Sequence, residues 1–138
     1  MTIVAHTDGA SRGNPGESGI GIYLQDEQGK TLFKGSGYIG TATNNIAEYR
    51  ALVACLKKMK DFVCTRLIVY SDSQLMVRQL RGEYKVKDCK LLELFKEARA
   101  ILKMAPFSFE ILHIAREENL DADELANFGI DGKNTLQI

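Results

Sequence analysis

A mixed α/β fold (α+β in its segregated strands) is predicted for this 138-residue chain: one five-stranded sheet, three antiparallel strands plus two parallel, with helices on both faces. Three observations carry the prediction. Two β-rich runs flank Asp26-Glu27-Gln28-Gly29, a hairpin signal because glycine at a turn's end accepts positive φ. From Asn44 to Lys60, Ala47, Ala51 and Ala54 recur with Leu52, Leu56 and Met59 at helical spacing, giving a broad apolar face. Arg66–Tyr70 follows that helix as an apolar run without alternation, as in a strand covered on both faces. A right-handed crossover then sets it parallel to the first strand.

The remaining elements follow in order. Thr2–Thr7 is the first strand, ending at the glycine-rich turn Asp8–Gly16. Gly19–Leu24 and Thr31–Ile39 complete the antiparallel meander. After the fourth strand, Ser73–Leu80 is a short helix closed by Arg81-Gly82, and Asp88–Lys103 is a longer one with Leu91, Leu94, Phe95 and Ala98 on its buried side. Pro106 breaks the chain before the fifth strand, Phe107–Ile114, whose Phe107, Phe109 and Ile111 share a face. Asn119–Phe128 is the last helix, stopped by Gly129. Residues 1–130 read as a single domain and 131–138 as a loose polar tail.

Lys plus Arg and Asp plus Glu are each 18, so no global charge draws the chain to nucleic acid and any such binding is local. Runs of about 20 apolar residues, the span of a membrane, are missing, and no membrane partner is expected. The N-terminus already reads as strand rather than as a charged-then-apolar leader, so a cytoplasmic protein, monomeric, is expected. Cys55, Cys64 and Cys89 lack metal-type spacing and read as reduced, mostly buried thiols. Gly9, Gly13, Gly16, Gly19 and Gly21 lead into a strand with no Lys-Ser/Thr after them, which excludes a nucleotide-binding P-loop and a nucleotide cofactor.

Four acids stand out, and each has a plain structural explanation. Asp8 suits a turn; Asn45 and Glu48, or Ser71 and Gln74, suit a capping box; Asp121 and Asp123 suit the first turn of a helix. Together they say more. The first and fourth strands are expected side by side and both end at an acid, Asp8 and Asp72, and ligands of such sheets gather beyond the strands' carboxyl ends. Glu48 and Asp123 enter on helices packed nearby. Four converging carboxylates repel one another unless cations neutralise them, and Mg²⁺ matches their hard oxygens. Two such ions can stabilise the attacking water and the leaving oxygen at a phosphodiester.

Thr7-Asp8-Gly9-Ala10, Gly13-Asn14-Pro15-Gly16, Thr43–Glu48, Ser71-Asp72-Ser73-Gln74 and Asn119–Ala126 resemble the motifs of type 1 ribonuclease H, in family order over residues 2 to 128. The resemblance implies two-metal hydrolysis of the RNA strand of RNA–DNA hybrids, leaving 5′-phosphate and 3′-hydroxyl ends. It places Asp8, Glu48, Asp72 and Asp123 on the family's catalytic, metal-binding acids, with two Mg²⁺ ions for which Mn²⁺ substitutes. Asn14, Asn45 and Gln74 resemble side chains that meet the hybrid's minor groove. Thr43 and Asn44 resemble the pair near the DNA-strand phosphate and the RNA backbone. Amides both donate and accept, which suits 2′-hydroxyls and base edges; turn and cap chemistry is the competing explanation for the three asparagines. Gly9 either opens backbone amides to an RNA strand or is a turn glycine.

The chain departs from the family pattern in two places. The loop Ala115–Asn119 has no His, and Arg116 is the residue there that would hold a phosphate, unless it pairs with Glu117 or Glu118. His6 and His113 lie on strands and read as buried. Between Leu80 and Leu91 only ten residues are present, too few for a basic protrusion, though Arg78–Lys90 carries a net charge of +3. The alternative to a nuclease is a non-catalytic or altered-substrate module of the same fold that binds an RNA duplex or an RNA–DNA junction.

Overall fold

The structure is a computed structural model that describes residues 1–136. Its strands are β1 (Thr2–Gly13), β2 (Gly16–Asp26), β3 (Thr31–Ala42), β4 (Arg66–Ser71) and β5 (Ser108–His113), in the sheet order β3-β2-β1-β4-β5. The helices are α1 (Asn44–Lys58), α2 (Gln74–Leu80), α3 (Cys89–Met104) and α4 (Leu120–Gly132). β1 pairs antiparallel with β2 and parallel with β4, and β4 pairs parallel with β5. The expected mixed sheet is the observed one. Its hairpin closes where expected: Asp26 Oδ1 accepts the Gln28 and Lys30 amides, both at 2.9 Å.

Successive residues of a strand face opposite sides of the sheet, and this separates the helices. Gly9 faces α1, whereas Gly21, the β2 partner of Asp8, faces α4. The α1 side holds the core, with Ile3 and Ala5 of β1, Leu24 of β2 and Val69 of β4 packed under Leu52 and Leu56. Burying the larger of these side chains contributes about 1.5–3 kcal/mol each.

Several expected boundaries move. β1 does not stop at Asp8 but runs to Gly13, because after β4 leaves at Ser71 the strand keeps its β2 partner from Asp8↔Gly21 to Gly13↔Gly16. The tight turn is only Gly13–Gly16. β4 is not covered on both faces: Leu67, Val69 and Ser71 are buried, while Ile68 and Tyr70 are half-exposed because α4 lies over β2, β3 and β1. α4 passes through Gly129 and ends at Lys133, which adopts φ 47°. The segment after it is held as far as Leu136: the Tyr38 amide donates to the Asn134 carbonyl at 2.7 Å, and Leu136 packs on the core. The loose tail expected from residue 131 is therefore not seen through Leu136, and residues 137–138 lie outside the described part. His113 is exposed, not buried, since it closes an edge strand; His6 is half-buried against Tyr70, with ring centroids 5.2 Å apart. Cys55 and Cys64 are buried and Cys89 is exposed, all as free thiols.

Candidate active site

The parallel ladder between β1 and β4 ends at the pair Thr7↔Ser71, so Asp8 and Asp72 are the next residue on each chain. Two glycines bring the helices to that point. A Cβ on Gly9 would lie 2.2 Å from the Ala47 carbonyl carbon and 2.3 Å from the Glu48 nitrogen, so α1 rests directly on the strand. A Cβ on Gly21 would lie 2.2 Å from the Ala122 carbonyl oxygen, so α4 comes down beside Asp123. Backbone this close to backbone leaves room for no side chain at all.

None of the proposed capping boxes forms at these acids. Thr43 caps α1 by accepting the Ile46 amide at 3.2 Å, and Ser73 caps α2 by accepting from Met76. Glu48 instead turns inward and accepts the Gly9 amide on Oε1 at 2.6 Å. Asp8, Glu48 and Asp72 each place a carboxylate oxygen within 4.8 Å of the others. Asp8 is 4% exposed and Glu48 8%. Asp123 stands on the wall of the same cavity, of about 330 Å³, rather than inside that triad. Its Oδ1 lies 3.8 Å from the Arg116 guanidinium. Among the described residues Arg116 pairs with Asp123 rather than with Glu117 or Glu118, the alternative partners.

Burial pushes the Asp8 carboxyl up to about 8, and the charges of Asp72 and Asp123 push the same way. Glu48 is also raised, first by burial and then by Asp8 and Asp72, against the lowering effect of the Gly9 amide. These groups resist holding their charges together in the absence of a cation. A clustered, half-dry set of carboxylate oxygens fits a divalent metal ion, which removes the repulsion and replaces the lost water.

The amide-bearing residues surround the acids unevenly. Asn44 lines the acid cavity, while Asn14, Thr43 and Asn45 line a neighbouring one with Asp88–Leu91. Asn14 Oδ1 accepts the Asn44 amide at 3.0 Å, so it does cap the start of α1, as turn-and-cap chemistry anticipated. Gln74 is exposed at the first residue of α2 and lines neither cavity. Gly9 is no turn glycine; it is paired with Ile20 in the sheet. Sequence reasoning did not single out Arg12, whose guanidinium reaches Asp131 at 2.5 Å and the Asn127 side chain at 3.3 Å on the wall of the acid cavity. Asn127 in turn donates to the Asp123 carbonyl at 3.0 Å, a contact that i, i+4 spacing on a helix makes legible.

Residues 6–129 match the family described as Reverse transcriptase-like. Ribonuclease H of Chlorobaculum parvum is 32% identical over 143 aligned residues, covering 94% of this chain and 95% of that protein. This chain belongs to the type 1 ribonuclease H family. The ribonuclease H fold is shared at higher identity with LC11-RNase H1 in complex with RNA/DNA hybrid, at 43% identity and a TM-score of 0.90 over 94% of this chain and 97% of that one. The bifunctional protein Rv2228c of Mycobacterium tuberculosis is 39% identical over 133 residues. Those residues are 95% of this ribonuclease H chain but 36% of Rv2228c, so the chain spans about a third of that relative's length.

Proposed function

We propose that this chain is a metal-dependent endonuclease that hydrolyses the RNA strand of RNA–DNA hybrids, leaving 5′-phosphate and 3′-hydroxyl ends. The observation that carries the reading is the convergence of Asp8, Glu48 and Asp72 within 4.8 Å at the end of the central parallel ladder. The similarity to a ribonuclease H solved with an RNA/DNA hybrid supports the substrate class. Asp8, Glu48, Asp72 and Asp123 are the residues proposed to hold two Mg²⁺ ions, or Mn²⁺ in their place. When bound, the ions would supply Lewis-acid stabilisation of the charge that develops at phosphorus and make water a competent nucleophile.

The chain's own residues do the rest. Asp8 and Glu48 are dry on one side, which excludes bulk water and strengthens every interaction inside the cavity. Arg116, 76% exposed on its side chain, can turn the rest of its guanidinium to a phosphate of the cut strand while Nη2 stays 3.8 Å from Asp123 Oδ1. Asn14 spends its oxygen on α1 and keeps its amide nitrogen for a base edge or 2′-hydroxyl. Exposed Asn45 and Gln74 offer donor and acceptor together. Thr43 has one hydroxyl lone pair engaged by Ile46 and can still donate to a DNA-strand phosphate.

The test is a labelled hybrid with Mg²⁺, with and without chelator, beside an RNA duplex and a DNA duplex of the same sequence. Cleavage confined to the RNA strand of the hybrid and abolished by chelator is expected. Binding without cleavage would favour the non-catalytic module; faster cleavage of the RNA duplex would shift the substrate.

Affinity follows from the same surface. Among the cations of Arg78–Lys90, Arg78 donates to the Tyr84 hydroxyl at 2.9 Å and Arg81 pairs with Glu83 at 3.2 Å, leaving few for a phosphate backbone. A titration of hybrid binding against salt should therefore be shallow, with a log–log slope of about −2 to −3. A slope steeper than about −5 would show a larger phosphate footprint than this surface offers.

A further inference from the structure

Asn119 is the residue just before α4, and it is 1% exposed. Its side chain does not cap the helix. Both hydrogens of its amide are used elsewhere: Nδ2 donates to the Thr7 carbonyl at 2.9 Å and to Asp72 Oδ2 at 3.2 Å. Its own carbonyl accepts the Asp123 amide at 3.1 Å, and its backbone amide donates to the Arg116 carbonyl at 3.0 Å. Thr7 is the last residue of the parallel ladder and immediately precedes Asp8. One buried side chain thus touches the strand that carries Asp8, the carboxylate of Asp72 and, through its backbone, the turn that carries Asp123. Oδ1 has no partner among the described residues, so the amide is not there because its burial is cheap. A residue kept solely to start the helix would bond its first-turn amides instead.

We propose that Asn119 is a positioning residue that fixes the Asp72 carboxylate against the end of β1, so that Asp72 faces Asp8 and Glu48 in one orientation before any ligand arrives. Partners that orient a metal's ligands carry about 10- to 100-fold in metal affinity. This role rests on the acids holding a divalent cation, as proposed above.

The test is calorimetric titration of the full chain with MnCl₂ alone, in the parent and in Asn119→Ala and Asn119→Ser, each below its melting temperature. The serine variant retains a polar group in the buried space and carries the comparison if the alanine variant does not fold. Both are expected to raise the Mn²⁺ midpoint about 10-fold, to lower kcat at fixed metal, and to leave KM for the hybrid within about twofold, since Asn119 itself is buried away from substrate. In an Asp72→Asn background, Asn119→Ala should add no further weakening, because its partner is already altered. Midpoints unchanged in the folded variants, or an undiminished further loss in the Asp72→Asn background, would overturn the role. A parent that binds Mn²⁺ but leaves the hybrid's RNA intact would count against the nuclease reading alone, and the midpoints would still decide the role of Asn119.

Discussion

Asp8→Asn is expected to yield a folded protein with cleavage reduced roughly a thousandfold or more, yet more stable than the parent at pH 8 without metal, by on the order of 2 kcal/mol. The two effects have one origin. The carboxyl of Asp8 is buried among Glu48, Asp72 and Asp123, and its folded value is raised from 3.8 to about 8. Between those values the folded protein keeps a proton that the unfolded chain has released. Stability of the metal-free parent therefore falls as pH climbs through that window and is not reduced by this group below about pH 4. An amide fills the same space without the charge, so the slope should flatten in Asp8→Asn, the more so because Glu48 loses one of the charges that raise it. Thermal melts at pH 5.5 and pH 8, with and without Mg²⁺, check the sign. The ion should restore the parent at pH 8 and do much less for the variant. A parent that melts higher at pH 8 than at pH 5.5 without metal, in comparison with the variant, would show that these acids are not under strain.

Gly9→Ala should have the second-largest effect. The added methyl would meet backbone atoms of Ala47 and Glu48 at 2.2–2.5 Å, which no rotamer change relieves. Helix α1 must then lift from β1, at a cost of about 3 kcal/mol and a fall in Tm of roughly 10 °C. Lifting the helix also draws Glu48 away from the Gly9 amide and from Asp8, so activity should fall by more than the loss of folded protein explains. Gly29→Ala is the control for the generic effect of adding a methyl at a glycine. Gly29 has φ 84° and nothing within 4 Å of a Cβ, so Gly29→Ala should cost about 1 kcal/mol through backbone strain and leave kcat unchanged. Equal activity losses in the two variants would refute a specific role for the Gly9 contact.

These contacts mark where sequence reasoning ran out. The hairpin around Asp26–Gly29, the helix from Asn44 and the parallel placement of β4 were legible because apolar spacing and turn chemistry report them directly. The convergence of Asp8 and Asp72 followed from strand ends in a parallel pair. What composition hides is the backbone approach: Gly9 looks like a turn glycine, and Gly19 and Gly21 like ordinary strand glycines, until α1 and α4 are set against them. The extension of β1 past Asp8 was missed for the same reason, since glycines that break an isolated strand are tolerated where a partner strand keeps the ladder. The role of Glu48 was half-legible. Its spacing from Asn45 suggested a cap, but a residue in the second turn of α1 faces the sheet, and only packing reveals which acid lies beneath it. Asn119 was visible as a motif letter and not as a bridge, because its partners lie 112 and 47 residues away.

Anomalous scattering from crystals soaked in Mn²⁺ tests most directly whether the carboxylates hold a cation. A peak between the side chains of Asp8, Glu48 and Asp72, lost in Asp8→Asn crystals treated the same way, is the expected result. Manganese bound only elsewhere on the surface, with that cavity empty in the parent at saturating metal, would contradict the account.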